Sequence, residues 1–227
     1  MDNATHPTEF PPLRFDRVED GATGRAMRIV EAAYHLLDRH GLEGLTIRAV
    51  LAETGLARRA FYDNFTGKDD LVLAVFAQTI RAAAQHYRDI GRSYGDPLSR
   101  LRMVVTSIGL GAANIDEPEP EAGSTERLHR SAALSREHLR LAESRPSDLQ
   151  AALAPLIELL ADLLRETVAA GQARDCDPAL QATLIYNLLS TTVHTQLLTE
   201  EPGTPDPASR RRLAEHIWEF VRRAIAV

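Results

Sequence analysis

The chain of 227 residues is 44% hydrophobic but only 5% aromatic, and its formal net charge is −6. This content suffices for a sizeable core, and abundant Ala, Leu, Arg and Glu with few β-branched runs favour an all-α protein. The single cysteine, Cys176, excludes an internal disulfide framework, and the negative net charge argues against indiscriminate nucleic-acid binding. No apolar run approaches membrane-spanning length and residues 1–3 lack the order of a signal peptide, so we expect a cytoplasmic protein without membrane contacts.

The N-terminal part of the chain predicts a mobile arm followed by two helices. Residues 1–24 mix prolines and glycines with charges of both signs, which is typical of an arm. Helical spacing of apolar residues predicts helix 1 over about 25–40, with Gly41 closing it. Helix 2 is predicted from an N-cap at Thr46 to about Thr54.

A sharp turn and a short basic helix are predicted within residues 55–71, which read GLARRAFYDNFTGKDDL. Gly55 adopts a left-handed conformation at little cost, so it can end helix 2 and let the next helix leave at a steep angle. Helix 3 is predicted over about residues 57–64. Arg58 and Arg59 then lie near its exposed N-terminal end, as in the second half of a helix-turn-helix that meets DNA.

The residues after this basic start anchor helix 3 and begin the next helix. Phe61 and Phe65 are four residues apart, so both can point into a small core. Thr66 and Asp69 have the spacing of a capping box, with Thr66 as the N-cap. Lys68 is therefore expected at the N-terminus of helix 4, where free N–H groups attract anions.

Order and spacing over about residues 25–76 resemble the DNA-binding domain of the TetR (tetracycline-repressor-like) family. The resemblance implies a helix-turn-helix regulator that binds operator DNA as a homodimer and responds to a small molecule. The residues that carry it are Gly41, Thr46, Ile47, Val50, Ala52, Gly55, Leu56, Phe61, Tyr62, Phe65, Lys68, Asp70 and Leu71.

The resemblance also assigns roles in DNA binding. It implies phosphate contacts for Thr46, Tyr62 and Lys68. It makes three arginines candidates for base edges or phosphates, since the arginine fork can pair with two guanine acceptors: Arg48, Arg58 and Arg59. Ala57 belongs to the same DNA-facing set but departs from the family pattern, because a Ser or Thr often caps this helix and meets a phosphate there. Residues 25–68 hold seven basic and five acidic residues, a mildly positive patch that fits a salt-sensitive DNA contact.

Six further helices are predicted in the rest of the chain from helical periodicity and capping signals. Three begin at an aspartate N-cap followed by a first-turn proline: Asp96-Pro97, Asp177-Pro178 and Asp206-Pro207. The six are, in chain order, helices 4 to 9, and they cover about 66–87, 97–112, 124–144, 147–170, 178–199 and 208–226. An acidic loop covers 115–123.

The helix over 147–170 carries its own start, interruption and stop signals. Ser147 with Gln150 forms a second capping box. Pro155 is expected to kink or divide the helix, and Gly171 to end it. The predicted architecture is therefore all-α with about nine helices. Its three parts are an arm (1–24), a three-helix DNA-binding domain (25–70) and a helical effector-binding and dimerisation domain (71–227).

By resemblance, the helical body encloses a largely apolar effector pocket. The side chains expected to line it are Phe76, Ile80, Tyr87, Met103, Arg136, His138, Leu139 and Leu160. If the effector has an acidic end, Arg136 is its natural partner, because the guanidinium stays charged at any working pH.

Helices 8 and 9 are expected, also by resemblance, to pair with their symmetry mates in a four-helix dimer interface. Their apolar stripes are wider than one core face requires. The residues expected at the interface are Leu184, Leu188, Thr191, Thr195, Leu213, Ile217 and Phe220. The alternative is that the aromatic residues of helix 9 only cover the monomer's own core.

No metal-ligand pattern, phosphate loop or nucleophile motif is present in the sequence, so we expect neither an enzyme nor a bound cofactor. The favoured hypothesis is a ligand-responsive repressor that binds a palindromic operator as a homodimer. The alternative is a helical small-molecule-binding or scaffolding protein of the same fold with little DNA affinity. The acidic arm and the missing cap at Ala57 suggest this alternative.

Overall fold

A computed structural model describes residues 22–110, 137–199 and 207–227. All regular secondary structure in these ranges is helical, which confirms the all-α fold. The helices are α1 (Ala22–Gly44), α2 (Ile47–Thr54), α3 (Arg58–Tyr62), α4 (Lys68–Gly91), α5 (Pro97–Leu110), α6 (137–144), α7 (Pro146–Ala169), α8 (Pro178–Thr199) and α9 (Pro207–Ile225). None of these helices has both the length and the apolar character needed to cross a bilayer.

Capping residues explain why several helices begin and end where the sequence predicts. The backbone N–H of Ser99 donates to the Asp96 side chain at 2.9 Å, and that of Ala179 to Asp177 at 3.0 Å. Each aspartate thereby satisfies a free N–H at the start of its helix. Gly171 has φ 68° and follows the end of α7, as predicted. Residues 1–21 of the predicted arm, the acidic loop, Asp206 and the first part of helix 6 lie outside the described residues. Residues 22–24, predicted as the end of the arm, are instead the start of α1.

Other helix boundaries agree with the prediction only in part. Gly41 has non-helical angles, φ 61° and ψ −164°, so it closes the first segment of α1 as predicted, and a second short segment runs on to Gly44. α3 is shorter than predicted, since Asp63 follows its last residue in a turn. α7 begins at Pro146 rather than at a Ser147 cap, and Pro155 does not divide it. Because the proline lies inside a helix that packs along much of its length, packing outweighs the hydrogen bond it removes.

The predicted capping box of Thr66 and Asp69 is replaced at the start of α4 by bonds between Thr66 and Asp70. The Asp70 carboxylate, not that of Asp69, accepts from the backbone N–H of Thr66 at 2.9 Å and from its hydroxyl. The helix begins at Lys68, so Gly67 precedes it, and the bonds join residues four apart, not the three of the predicted capping box. Asp69 turns instead toward Arg140.

The described chain divides into two compact units. The first contains residues 22–82 and 137–153, and the second contains 83–110, 154–199 and 207–227. In the first unit α1 packs on α2 and α3 around Leu37, Leu45, Val50 and Phe61, all fully buried. Polar bridges reinforce this packing: Arg39 pairs with Glu53 at 2.7 Å.

In the second unit α5 lies against α8 and α9. Gly109 permits this close approach, because a Cβ there would lie 3.3 Å from the Cβ of Ala214 and 3.4 Å from its Cα. Leu189 of α8 reaches the same point, 3.6 Å from that Cβ position. The absence of a side chain at Gly109 thus sets the distance between α5 and α9.

Candidate nucleic-acid interface

The turn between α2 and α3 is fixed by a cap at each end of α2. The Thr46 hydroxyl accepts from the N–H of Ala49 at 3.1 Å, and Gly55, with φ 66°, donates its own N–H to Leu51 at 3.0 Å. A left-handed residue at this point reverses the chain so that α3 starts in a new direction. Thr46 is exposed, and its hydroxyl group can still donate a hydrogen bond to a phosphate.

A buried aromatic pair holds α3 against the first unit's core. Phe61 is fully buried and its ring centroid lies 5.5 Å from that of Phe65. The Tyr62 ring meets the Phe61 ring edge-on at 5.3 Å, yet 46% of Tyr62 is exposed. One side of α3 is therefore anchored in the core while the other side is free to contact a partner.

The free side of α3 is basic. Ala57, Arg58 and Arg59 are exposed, and Ala57 makes no side-chain cap, as its methyl group predicts. The Arg58 guanidinium lies over the Tyr62 ring, 5.5 Å from its centroid, and donates to the tyrosine oxygen at 3.4 Å. The side chain of Arg59 is 92% exposed and meets Asp63 only at 3.9 Å.

Arg48 and Lys68 extend the cationic surface on either side of α3. Arg48 is exposed in the first turn of α2. Lys68 is half-buried at the start of α4, and its ammonium donates to the carbonyl of Leu42 near the end of α1 at 2.9 Å. An ammonium has three donors, so this bond leaves others for an anion.

Two carboxylates beside Lys68 are paired with arginines from later in the chain. Arg140 donates to both oxygens of Asp69, and Arg145 donates to Asp70. The hydrogen bonds from Thr66, followed by that from Arg145, hold the pKa of Asp70 below its usual range. Because Asp69 and Asp70 have arginine partners, they offset the charge of Lys68 less than free carboxylates would. Sequence reasoning missed this pairing, since the partners are more than seventy residues apart.

All seven residues predicted to face DNA thus lie between positions 46 and 68 of the first unit. Six are exposed and Lys68 is half-buried. The structure brings Arg58 and Tyr62 into contact. It also adds an observation that the sequence did not predict, the bond from Lys68 to the end of α1.

The residues predicted to line the effector pocket are divided between the two units. In the first unit Phe76 is buried, Ile80 and His138 are half-buried, and the rings of Phe76 and His138 lie 6.0 Å apart. Leu139, expected at the pocket wall, is instead 48% exposed, because the helical period turns it about 100° away from His138. In the second unit the side chains are buried: Tyr87, Met103 and Leu160. Burial raises the pKa of the Tyr87 phenol, and Arg136 lies outside the described residues.

The residues predicted for the dimer interface are mostly accessible on the second unit. On α8, Leu184 is 54% exposed, Leu188 is half-buried, and Thr191 and Thr195 are exposed. Leu180, one turn before Leu184, is also exposed, and sequence reasoning missed it although its spacing places it on the same face.

The α9 residues of that set differ among themselves. Phe220 is 66% exposed, so it does not cover the monomer's own core, and Leu213 is half-buried. Ile217 is buried within its own chain and lies with Trp218 in the core. The two residues are three positions apart, only about 60° around the helix, so the packing of α9 and not its helical period separates them.

A short helix anchored by buried phenylalanines, presenting arginines and a tyrosine after a glycine turn, defines a helix-turn-helix transcriptional regulator. The family described as "Bacterial regulatory proteins, tetR family" matches residues 29–75. The family described as "AefR-like transcriptional repressor, C-terminal domain" matches residues 128–224. The chain belongs to the TetR family of transcriptional regulators, whose members are not enzymes.

Similar proteins extend over most of the chain. The HTH-type transcriptional repressor KstR2 of Mycobacterium tuberculosis is 23% identical over 192 residues, which cover 84% of this chain and 88% of the relative. The crystal structure of a TetR-family regulator from Mesorhizobium loti is 18% identical, with a TM-score of 0.64, and covers 92% of this chain and all of its own. FadR of Bacillus subtilis, solved in complex with stearoyl-CoA, is 17% identical with a TM-score of 0.63, over 88% and 98% of the two chains.

Proposed function

We propose that this chain is a ligand-responsive repressor that binds a palindromic operator as a homodimer and is released by a largely apolar effector. The observation that carries the proposal is the exposed Arg58, Arg59 and Tyr62 on a helix anchored through buried Phe61. Such a helix is narrow enough to enter the major groove of B-DNA, where its N-terminal residues reach base edges. Arg48 and Lys68 are then placed to meet phosphates.

The dimer part of the proposal rests on apolar side chains that the monomer leaves in solvent. Leu180, Leu184 and Phe220 are each more than half exposed in the second unit. Exposed apolar groups of this size are costly in water and are typical of an interface. A palindromic operator presents two half-sites about one DNA turn apart, roughly 34 Å, and a two-fold dimer supplies one α3 for each.

The effector part rests on the apolar interior and on similar proteins. Phe76, Met103 and Leu160 are buried and apolar. FadR is solved with stearoyl-CoA, and KstR2 is described as a ketosteroid regulator. A stearoyl chain and a steroid skeleton are both apolar, and we extend that property to the part of the effector that this chain would bury. Binding can release operator only if the effector has different affinities for the two conformations.

The alternative, a helical binding or scaffolding protein with little DNA affinity, is favoured by one observation. Ala57 gives α3 no side-chain cap, so a contact often made at this position is missing. The chain retains the other cationic residues, and for this reason we place the alternative second.

Binding to the DNA that flanks the chain's own gene tests the two candidates. A fluorescence-anisotropy titration at low and at physiological salt should give tight, sequence-selective and salt-dependent binding for the repressor. A panel of lipophilic acids and steroids should then include compounds that both raise the melting temperature and release the operator. No sequence-selective binding would favour the alternative. Release only by small, strongly cationic molecules would remove the apolar effector while leaving the repressor.

A further inference from the structure

Arg58 and Tyr62 contact each other along one face of α3. They lie four residues apart, one helical turn, and side chains in helices lean toward the N-terminus, so the tyrosine ring points back toward the arginine. The guanidinium carbon is 5.5 Å from the ring centroid, and one guanidinium nitrogen donates to the phenol oxygen at 3.4 Å. A cation over an aromatic face is attracted to it, so this contact restricts the orientation of the Arg58 side chain.

The Tyr62 ring that holds Arg58 is itself held. Its centroid lies 5.3 Å from that of Phe61 with the two planes at 82°, the edge-to-face arrangement that aromatic rings prefer. Phe61 is fully buried and packs on Phe65. Contacts therefore run from the core through Phe61 and Tyr62 to the guanidinium of Arg58.

Arg59 has no such support although it is the next residue. Its side chain is 92% exposed, and its nearest carboxylate, Asp63, is 3.9 Å away and itself 58% exposed. An exposed ion pair at this distance restrains a side chain little. The two arginines of α3 thus differ in how firmly they are oriented, although the sequence presents them as equivalent.

Base recognition and phosphate binding place different demands on an arginine. Reading guanine requires the planar fork to meet two acceptors of one base at once, which needs a fixed orientation. A phosphate can be met from many directions, and its contact carries no sequence information. The Arg58 guanidinium lies over the ring and uses one N–H on the phenol oxygen, so the other N–H groups of the fork remain for a partner.

We infer that Arg58 and Tyr62 together form the base-reading unit of α3, in which the Tyr62 ring positions the Arg58 guanidinium for guanine while Arg59 contacts phosphate. This inference rests on the proposed operator binding. The Tyr62 hydroxyl keeps a separate role: its oxygen accepts from Arg58, so its hydrogen can be donated to a phosphate. Tyr62 is then a positioning residue through its ring and a phosphate contact through its hydroxyl.

The experiment uses the full chain and DNA selected by it from a random library. Affinities are measured for that operator and for every single-base-pair change in one half-site. The variants are Arg58→Ala, Arg59→Ala, Tyr62→Leu and Tyr62→Phe. Arg92→Ala and Tyr94→Leu are matched controls, because they remove an exposed arginine and an exposed tyrosine from the second unit. Circular dichroism checks that each variant folds.

Arg58→Ala should abolish the preference for guanine at one base pair per half-site, a loss of about 5- to 150-fold in discrimination. Tyr62→Leu should reduce the preference at that same base pair at least fivefold, and Tyr62→Phe should restore it while lowering affinity for all sequences alike. Arg59→Ala should lower the affinity for all DNA sequences by a similar factor. The two control variants should match the wild type.

The assignment of the two arginines would be overturned if Arg58→Ala weakened binding to all sequences equally. It would also be overturned if only Arg59→Ala lost the preference for guanine. Retention of the guanine preference in Tyr62→Leu would overturn the positioning role of the ring. A wild-type chain that selects no sequence would overturn the proposed function and this inference with it. Selection followed by any of the other contrary results overturns the inference alone.

Discussion

Arg140 of α6 and Asp69 of α4 are joined by two parallel hydrogen bonds, Nη1 to Oδ2 and Nη2 to Oδ1, each 3.1 Å long. The same guanidinium donates from Nε to Oε2 of Glu137 at 2.8 Å. Glu137 is buried, whereas the Asp69 side chain is 64% exposed. One arginine therefore serves a buried and an exposed carboxylate, and the two ion pairs should contribute unequally to stability.

Replacing Arg140 should cost more than replacing Asp69. Arg140→Gln leaves the buried Glu137 carboxylate without its partner, and we expect a loss of about 2 kcal/mol in the free energy of unfolding. Asp69→Asn breaks only a solvent-screened pair and should cost at most about 0.5 kcal/mol. Urea unfolding followed by circular dichroism measures both. Arg165→Gln, which breaks an exposed pair with Asp162, serves as the control; equal losses for Arg140→Gln and Asp69→Asn would contradict the prediction.

The carboxylate of Asp70 should make stability depend on pH in the acid range. Its pKa is lowered in the folded chain, chiefly by Thr66 and then by Arg145, so folding favours the charged form. A lowered pKa gives a contribution that is present above the unfolded value, about 4, and is lost as the pH falls through the folded value. The wild type should therefore exceed Asp70→Asn in stability at pH 7, and this difference should shrink below about pH 4.

Urea unfolding of both proteins between pH 7 and the onset of acid unfolding checks this. Asp162→Asn, which removes one exposed carboxylate elsewhere, corrects for the change in net charge. A difference between wild type and Asp70→Asn that stays constant into strong acid would show that Asp70 does not act through its ionised form.

Gly41 and Gly55 should respond differently to substitution although both have positive φ. A Cβ on either would meet no atom within 4 Å, so only the backbone conformation decides. Gly55, at φ 66° and ψ 13°, is left-handed helical, where alanine costs about 1 kcal/mol and asparagine less. Gly41, at φ 61° and ψ −164°, occupies a region nearly exclusive to glycine, so alanine or asparagine there should cost about 2 kcal/mol.

Unfolding free energies of the alanine and asparagine variants at both positions test this order. Gly95→Ala, at a site with open space and no positive φ, is the control for adding a methyl group. If asparagine relieved the cost at Gly41 as well as at Gly55, the difference in ψ would have no energetic consequence.

Sequence reasoning succeeded where a residue acts through its own backbone or its near neighbours. Gly55, Asp96 and Asp177 end or begin helices through local hydrogen bonds, so their roles followed from spacing alone. Distant partners were not predictable in this way. Spacing favoured Asp69 as the partner of Thr66, but Asp70 takes that place and Asp69 pairs with Arg140, more than seventy residues away.

The same limit applies to faces of a helix. Ile217 and Phe220 belong to one apolar stripe in the sequence, but only the packing of α9 on α5 shows which of them is buried. The four-residue spacing of Arg58 and Tyr62 allows their side chains to meet on a helix. The sequence does not show whether they do so or point apart.

Replacing an exposed and a buried apolar residue of α9 with aspartate should therefore have different effects on assembly and folding. Phe220→Asp should convert the proposed dimer to a folded monomer, because the side chain is 66% exposed in one chain. Ile217→Asp should instead unfold the second unit, since it buries a charge in the core. Native mass spectrometry at micromolar concentration gives the mass and circular dichroism the helix content. Tyr94→Asp, another exposed aromatic, should leave both unchanged; a monomeric wild type would exclude the dimer.

Lys68 should affect both DNA binding and stability. Lys68→Met is expected to weaken operator and non-specific DNA by a similar factor, with the slope of log affinity against log salt falling by about one. It also leaves the Leu42 carbonyl without its ammonium donor, so unfolding should become easier by about 1 kcal/mol. Arg48→Met is the comparison, because Arg48 is exposed and should alter DNA binding with little effect on stability. Preserved affinity and salt slope in Lys68→Met would remove the phosphate contact.

Lys68 is also the only lysine among the 227 residues, the other basic side chains being arginine or histidine. Reagents that modify side-chain amines therefore have one target, and that target lies beside α3 and is bonded to the end of α1. Attaching the protein to a sensor surface or a dye through lysine would place the linker on the proposed DNA-binding face. Coupling through this lysine would then report a protein that cannot bind its operator, whereas Cys176 offers a thiol for coupling in the second unit.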